Sequence, residues 1–363
     1  MNSDKIIAEN VGIDIAKKTF VACLSYLLLD RTIRVCVLKE FSNTLTGFKE
    51  LLQWTSKHRQ LETPLLFTLE ATGVYHENLA YYLHQQKQEV AIVLANQAKK
   101  YKESFPESSK TDFLDARSLA SMGLERKLKL WVPTSDFYQE LKALTRERSC
   151  LIKEKTGLSN RMEAINHSAK INQLQKKLKK ERLVLIKKQL QILNRAIKEH
   201  LTFKASKEEK NTGEFSPERN EKRVIAQKVK KILTIPGVGY IVVATLLAET
   251  DGFARINNIR QLVAYAGLNI KLSKSGTTID GSELSKRGNR QIKSVLFFPA
   301  YSAKNHYEEI QSYYERVVKK QGSGKVGAIA VARKILKLTY TLWKNGMEYD
   351  PNFAKTGATS API

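Results

Sequence analysis

Four carboxylates stand where carboxylates are costly. Asp14 interrupts the apolar, β-branched run VGIDIAKKTF, and Glu70 ends a second one, LFTLEATGVY. Asp112 and Asp115 stand three apart in KTDFLDARSLA, so a helix there shows both on one face. A charge inside a buried strand is expensive unless it is paired or bound to a cation. Two such strands and one such helix, if they converge, form a cluster that repels itself. Mg²⁺, a hard cation that takes oxygen ligands, holds such a cluster together. With two ions roughly 4 Å apart, the attacking and leaving oxygens of a phosphodiester are both stabilised. Each position alone has a plainer reading: a strand Asp as a turn residue or ion-pair partner, and Asp112 as a charge favoured at a positive helix N-terminus. The order and context of the four together point to the metal site.

A second candidate is Ser275, in LSKSGTTIDGSELSKRGNRQIK. Ser275-Gly276 reads as part of a polar, flexible loop, with Lys271, Lys274, Lys286, Arg287, Arg290 and Lys293 close in sequence. Cations around a serine suit a phosphate. No nearby His offers a base, so the residues alone favour a phosphate-contacting loop over a nucleophile. Upstream, LTIPGVGYIVVATLLAET places Gly237 and Gly239 between two apolar helical stretches, as in a helix-hairpin-helix element. Such glycines let the backbone approach a phosphate met by N–H groups at the next helix start; an ordinary turn between helices is the alternative.

The elements that must position these residues fall into two classes, an α/β part and an all-α part. At 363 residues the chain has length for two or three domains. Its 61 Lys and Arg against 36 Asp and Glu give a formal +25, which points to a polyanion. MNSDKIIAEN has no apolar leader, and no run of about 18 apolar residues follows, so nucleic acid is the expected polyanion and no membrane partner is expected. Cys23, Cys36 and Cys150, odd in number and widely spaced, read as reduced core thiols of a cytoplasmic protein.

Residues 1–136 read as strands first and as alternating strand and helix afterwards, with Thr111 capping the helix of Asp112 and Asp115; a mixed sheet flanked by helices is expected. Over 137–203, Leu141, Leu144, Leu151, Leu158, Met162 and Ile165 keep a heptad frame with Arg148 and Lys155 at its other two core positions. Leu183, Ile186, Leu190, Leu193 and Ile197 keep a 3-4-3-4 spacing. A long coiled hairpin, or pairing between subunits, follows. Its basic run, Lys176, Lys177, Lys179 and Lys180 above all, is a solvated face or a nucleic-acid contact. Residues 204–223 are polar and charged, a linker or mobile loop; 224–348 form a second, mostly helical domain, and 349–363 a tail.

Asp, then Glu, then Asp-x-x-Asp resembles the RNase H-like (RuvC-type) nuclease core in its DEDD variant. GIDIAKKTF, NTLTGFKELLQW, LEATGVY and KTDFLDA are similar to the DEDD insertion-sequence transposases related to the Piv DNA invertase, insertion sequence family 110. The resemblance runs from about residue 10 to residue 345. It implies a DNA transposase or site-specific recombinase in which the serine matched by Ser275 attacks DNA and forms a phosphoserine link. It further implies that Asp14, Glu70, Asp112 and Asp115 hold Mg²⁺ (or Mn²⁺) that activates Ser275, across a subunit boundary in a homo-oligomeric dimer or tetramer. The implied partners are double-stranded DNA, as element ends and target, and a structured guide RNA. The implied place is the prokaryotic cytoplasm, at the nucleoid. Lys17, Lys110, Lys274, Lys286, Arg287, Asn289, Arg290, Lys293 and Arg333 join the basic run and the two glycines as expected nucleic-acid contacts. The sequence departs from the family at Asn269-Ile270, where a proline usually follows GL, and at Ile292-Lys293, where Leu-Arg is frequent. Lys keeps the charge there and loses the bidentate fork. The competing readings are a RuvC-like, metal-dependent, structure-selective DNA nuclease without a serine intermediate, and a non-catalytic nucleic-acid-binding protein.

Overall fold

Alternation along the first strands sorts side chains to two faces of one sheet. The computed structural model describes residues 5–104, 111–204, 216–275, 278–284 and 288–350, with side chains at 270–287 outside the description. It divides into two units, Met1–Pro133 and Thr134–Ile363. In the first, β1 (Ile6–Ile15), β2 (Thr19–Leu28) and β3 (Ile33–Ser42) pair antiparallel in sequence order. β4 (Leu66–Glu70) lies parallel beside β1, and β5 (Glu89–Val93) parallel beside β4. The order β3-β2-β1-β4-β5 is that of an RNase H-like fold.

Val11, Ile13 and Ile15 of β1, with Phe20, Leu24, Phe67 and Leu69, form one apolar face. α1 (Leu45–His58) covers it with Phe48, Leu51 and Trp54, and α2 (Glu77–Gln85) with Leu79, Ala80 and Leu83. The residues between them on β1, Asn10, Gly12 and Asp14, face the opposite side. There α4 (Asp112–Glu125) packs across β1, β2 and β4. α3 (Ala95–Lys102) has no counterpart in the sequence reading. Its NQAKKYK is almost wholly polar, and it is held by two residues, Ala98 and Tyr101, packed with Val93, Leu119 and Met122.

The second unit opens with the expected hairpin, α5 (Asp136–Asn166) and α6 (Gln173–Leu201). Leu151, Ile186 and Leu190 pack along its shaft, and Arg148, at a heptad core position, donates from Nε to Asn194 Oδ1 at 2.7 Å. The base of the hairpin is not separate: Leu141, Ile197 and Leu201 enter the same core as the helices that follow. These are α7 (Pro217–Ile232), α8 (Tyr240–Thr250), α9 (Ile259–Tyr265), α10 (Arg290–His306), α11 (Glu308–Gln321) and α12 (Gly324–Asn345).

Four expectations change. The expected linker, to residue 223, is helical from Pro217: proline suits the first helical position and Ser216 Oγ accepts from Arg219 N–H at 3.4 Å; residues 205–215 lie outside the described residues. The loop of Ser275 is a two-stranded hairpin, β6 (Ile270–Ser275) with β7 (Thr278–Leu284). Ile270 and Leu272 alternate with polar residues as a strand requires, a pattern hidden by the Ser, Lys and Gly content. Of the cysteines, all free, only Cys23 is a core thiol, while Cys36 and Cys150 are exposed. Tyr349, expected in the tail, is tied down by its N–H on Thr234 Oγ1 at 3.0 Å and its hydroxyl on Glu309 Oε2 at 3.2 Å; residues 351–363 lie outside the described residues.

Candidate active site

Glycine lets α4 lie directly on the sheet. A Cβ on Gly12 would land on the Ala116 carbonyl and the Ala120 amide, and one on Gly123 would meet the side chains of Asn10 and Thr68. Those two are buried and joined by Asn10 Nδ2 donating to Thr68 Oγ1 at 3.1 Å. Thr111 caps α4 from the other end, its Oγ1 accepting from Leu114 N–H at 3.3 Å. The helix therefore begins beside the carboxyl ends of two parallel strands. Asp14 is the penultimate residue of β1 and Glu70 the last of β4, with Ile13 and Leu69 paired in register. Asp112 and Asp115 occupy the first turn of α4.

Asp14 thus senses the other three. Burial, then repulsion from Asp115, Asp112 and Glu70, pushes Asp14 up to about 6. Burial and Asp115 also push Glu70 up, against the opposing pull of Lys102. The Lys102 ammonium is ion-paired with Asp115 Oδ1, so one positive charge already answers this negative cluster. The donor set, all carboxylate oxygen, fits a hard divalent cation. As they stand, no three His, Cys, Asp or Glu side chains among the described residues are close enough to hold an ion. The four lie within electrostatic reach rather than ligand contact.

Ser275 belongs to the second unit. It is the last residue of β6 and pairs with Thr278, so it stands at the closed end of the hairpin; its side chain, like those of Lys274 and Lys271, lies outside the described residues. The hairpin's two roots are locked together. Gly267 (φ 68°) and Gly288 (φ 117°) both adopt the left-handed region, and a Cβ on Gly288 would strike the Gly267 backbone. Asn289 N–H donates to Tyr265 O at 2.7 Å. Its Oδ1 caps α10 on Gln291 N–H (2.9 Å) and Ile292 N–H (3.1 Å), while its Nδ2 donates to Glu249 Oε2 at 2.7 Å. Glu249 is buried at the end of α8 and receives Arg146 Nε at 2.9 Å and Nη2 at 3.2 Å. Burial would raise this carboxyl, but the Arg146 and Asn289 hydrogen bonds outweigh it and hold Glu249 below the usual range.

Two family models match the chain. A DEDD transposase model of the IS110 type matches residues 11–167, and one described as Transposase IS116/IS110/IS902 family matches 229–315, together more than half of the chain. The chain belongs to the IS110 transposase family. Its relatives include the pilin gene-inverting proteins of Moraxella bovis and Moraxella lacunata, each 29% identical over 94% of this chain and 97% of the relative. The transposase for insertion sequence element IS1111A of Coxiella burnetii (strain RSA 493 / Nine Mile phase I) is 21% identical over 66% of this chain and 68% of the relative. A solved structure, T. thermophilus RuvC in complex with Holliday junction substrate, aligns over 34% of this chain and 100% of that chain at 10% identity with a TM-score of 0.26. The fold assignment rests on the strand order, not on that likeness. The chain is therefore a DNA-recombining enzyme.

The expected nucleic-acid contacts of this IS110-family enzyme occupy varied surroundings. Lys17 is exposed between β1 and β2; Lys110, Lys286 and Arg287 lie outside the described residues. On α6, Lys177 and Lys180 are exposed and Lys176 and Lys179 half-buried. Gly237 needs its φ of 77°, and a Cβ there would stand 2.7 Å from the Pro299 carbonyl oxygen; this glycine serves helix packing. Gly239 is exposed, with open space beside it at the start of α8. Arg290 is exposed at the start of α10, and Lys293 and Arg333 are half-buried. Asn289, expected on nucleic acid, uses both ends of its amide within the protein. The sequence reading missed Arg146, Tyr265 and Glu249. A signal existed for the last, a lone Glu closing the apolar helix YIVVATLLAET.

Proposed function

We propose that the enzyme cuts and rejoins DNA through a covalent bond between Ser275 and a strand phosphate, with Asp14, Glu70, Asp112 and Asp115 holding Mg²⁺ (or Mn²⁺). The observation behind this reading is the gathering of four carboxylates at the carboxyl ends of β1 and β4 and the first turn of α4, so close that three of them raise Asp14. In the first step the serine Oγ–P bond forms as the P–O bond to the departing strand breaks; the hydroxyl proton leaves and the departing oxygen takes one up. In the second, a strand hydroxyl attacks the phosphoserine and loses its proton, the new P–O bond forms as the serine Oγ–P bond breaks, and the serine oxygen takes a proton up again. When bound, the divalent ion stabilises charge developing on the phosphate oxygens. This chain's residues do the rest: the carboxylates fix the ion's place and the locked hairpin presents Ser275.

A structured guide RNA, a homo-oligomeric assembly and action at the prokaryotic nucleoid complete the reading. The charge of +25 supports the first and an unpartnered apolar stripe on α6 the second. The pilin gene-inverting relatives are named for a DNA rearrangement, which suits strand exchange here. The test is DNA cleavage with and without Mg²⁺, by wild type and by each of Asp14→Asn, Glu70→Gln, Asp112→Asn and Asp115→Asn. Cleavage by wild type only, and only with metal, is expected. Cleavage without divalent metal, or by any one of the variants, overturns the metal site.

A further inference from the structure

At the root of the Ser275 hairpin, on the side of Asn269, the second unit holds a cavity of about 620 Å³. Three cations line it, Arg260 on α9 with Arg333 and Lys337 on α12, together with Asn257, Asn258 and Asn269. No carboxylate is among its described lining residues. Like charges gathered without a counter-charge repel, and the arrangement is stable only at a cost or with an anion present. The nitrogen Nε of Arg333 sharpens the point: it is buried and has no hydrogen-bond partner. Buried N–H groups are nearly always paired, and an unpaired one loses its hydration without return. Lys334, its neighbour in sequence, is by contrast ion-paired with Glu309 Oε1 at 2.8 Å, so α12 separates a satisfied cation from an unsatisfied one.

The amides add donors. Asn258 Oδ1 already caps α9 on Gln261 N–H at 2.8 Å, so what this side chain has left to offer a ligand is N–H. Asn269, also in the lining, adds a second side-chain amide with two N–H donors. Guanidinium forks, an ammonium and amide N–H groups together match the oxygens of a phosphate diester. The volume falls within the range of sites that hold a small ligand, enough for one phosphate with its sugar rather than for a duplex. Asn269 directly precedes Ile270, the first residue of β6, so an occupant would sit beside the root of the strand that ends in Ser275.

We propose that this cavity seats one backbone phosphate of the DNA strand handled by the hairpin, gripped by Arg333, Arg260 and Lys337. It rests on the reading that the Ser275 hairpin works on DNA. Its purpose is positional: a second phosphate fixed at the hairpin root sets which phosphate reaches the tip. Because phosphate is common to every sequence, the grip adds affinity without sequence preference.

The test is fluorescence anisotropy of the full chain with a labelled mixed-sequence DNA duplex and with an RNA duplex of matching sequence, across a salt series. Arg260→Gln/Lys337→Gln is the first variant, since both side chains reach the surface. Arg333→Gln is the second, with its melting temperature measured beside it, and Arg333→Lys the third. Leaving one phosphate unneutralised makes the slope of log K against log salt shallower by roughly 0.9 on duplex DNA. The expected result is that flattening with the double variant and Arg333→Gln, and an intermediate one with Arg333→Lys. A wild-type slope in the double variant overturns the proposal even if Arg333→Gln fails to fold. A flattening seen on RNA alone also overturns it and assigns the pocket to RNA. The nucleophile reading is judged separately, by whether a protein–DNA adduct forms: its absence with the slope still reduced leaves the pocket standing and removes the nucleophile.

Discussion

Asp14 is ordinary in type and unusual in place. With burial and three neighbouring carboxylates lifting it to about 6, its charge destabilises the metal-free fold near neutral pH. Asp14→Asn therefore leaves the metal-free melting temperature unchanged or raises it, while cleavage is lost. Added Mg²⁺ binds the native state alone and raises the wild-type melting temperature by mass action, an increase that Asp14→Asn lacks. A metal-induced rise equal in both counts against the site. Glu249 has the opposite sign. Its folded carboxyl titrates below the ordinary value of 4.5, so the native state sheds its proton first. Its ionised form stabilises the fold above pH 4.5, and that contribution disappears as pH falls through the lowered value. The melting-temperature gap between wild type and Glu249→Gln should be wide at neutral pH and close in acid; a gap independent of pH contradicts the Arg146–Glu249 pairing. Asp14 and Glu70 were legible because each breaks an apolar run. Glu249 obeys the same rule, yet its partners Arg146 and Asn289 are 103 and 40 residues away, and distance of that kind leaves no local trace.

Helices with a clear period were the most legible elements, because amphipathic spacing survives any later packing. The α5–α6 hairpin followed from such spacing, and Thr111 as a cap from its side chain ahead of the helix start. The strands of the Ser275 hairpin did not, since a two-stranded ribbon with a polar face looks like a loop in sequence. α3 escaped too: two packed residues suffice to hold it, and two residues make no pattern. The α6 helix shows more than its own hairpin uses. Ile186 and Leu190 are buried, yet Leu178, Leu185 and Ile192, seven apart, are exposed together with Leu174. A heptad stripe left in water after the hairpin has closed fits a second copy of the same helix. Leu178→Ser/Leu185→Ser/Ile192→Ser should reduce the mass measured by light scattering while helix content holds; an unchanged mass removes this stripe from the assembly. The basic side of α6 makes a separate prediction. Replacing Lys176, Lys177, Lys179 and Lys180 by Gln should flatten the salt dependence of duplex binding, by roughly 0.9 in slope for each phosphate no longer neutralised. If the slope holds, these lysines only solvate the helix.

Over the whole molecule, the net charge of +25 and the family assignment agree on nucleic acid, and under the proposed function the two units divide the chemistry between them. Carboxylates gather in the first unit, and the serine hairpin stands in the second. A serine hydroxyl is a weak nucleophile unless a base or metal activates it, so strand cutting should need residues from both. The most direct measurement is a denaturing gel of end-labelled DNA substrate incubated with Mg²⁺ and wild type, Ser275→Ala or Asp14→Asn. The account predicts a labelled band that migrates with the protein and survives denaturation for wild type, and neither that band nor cut strands for the two variants. Cutting at the wild-type rate by Ser275→Ala, with no such band in wild type, would contradict it and leave a nuclease that uses water.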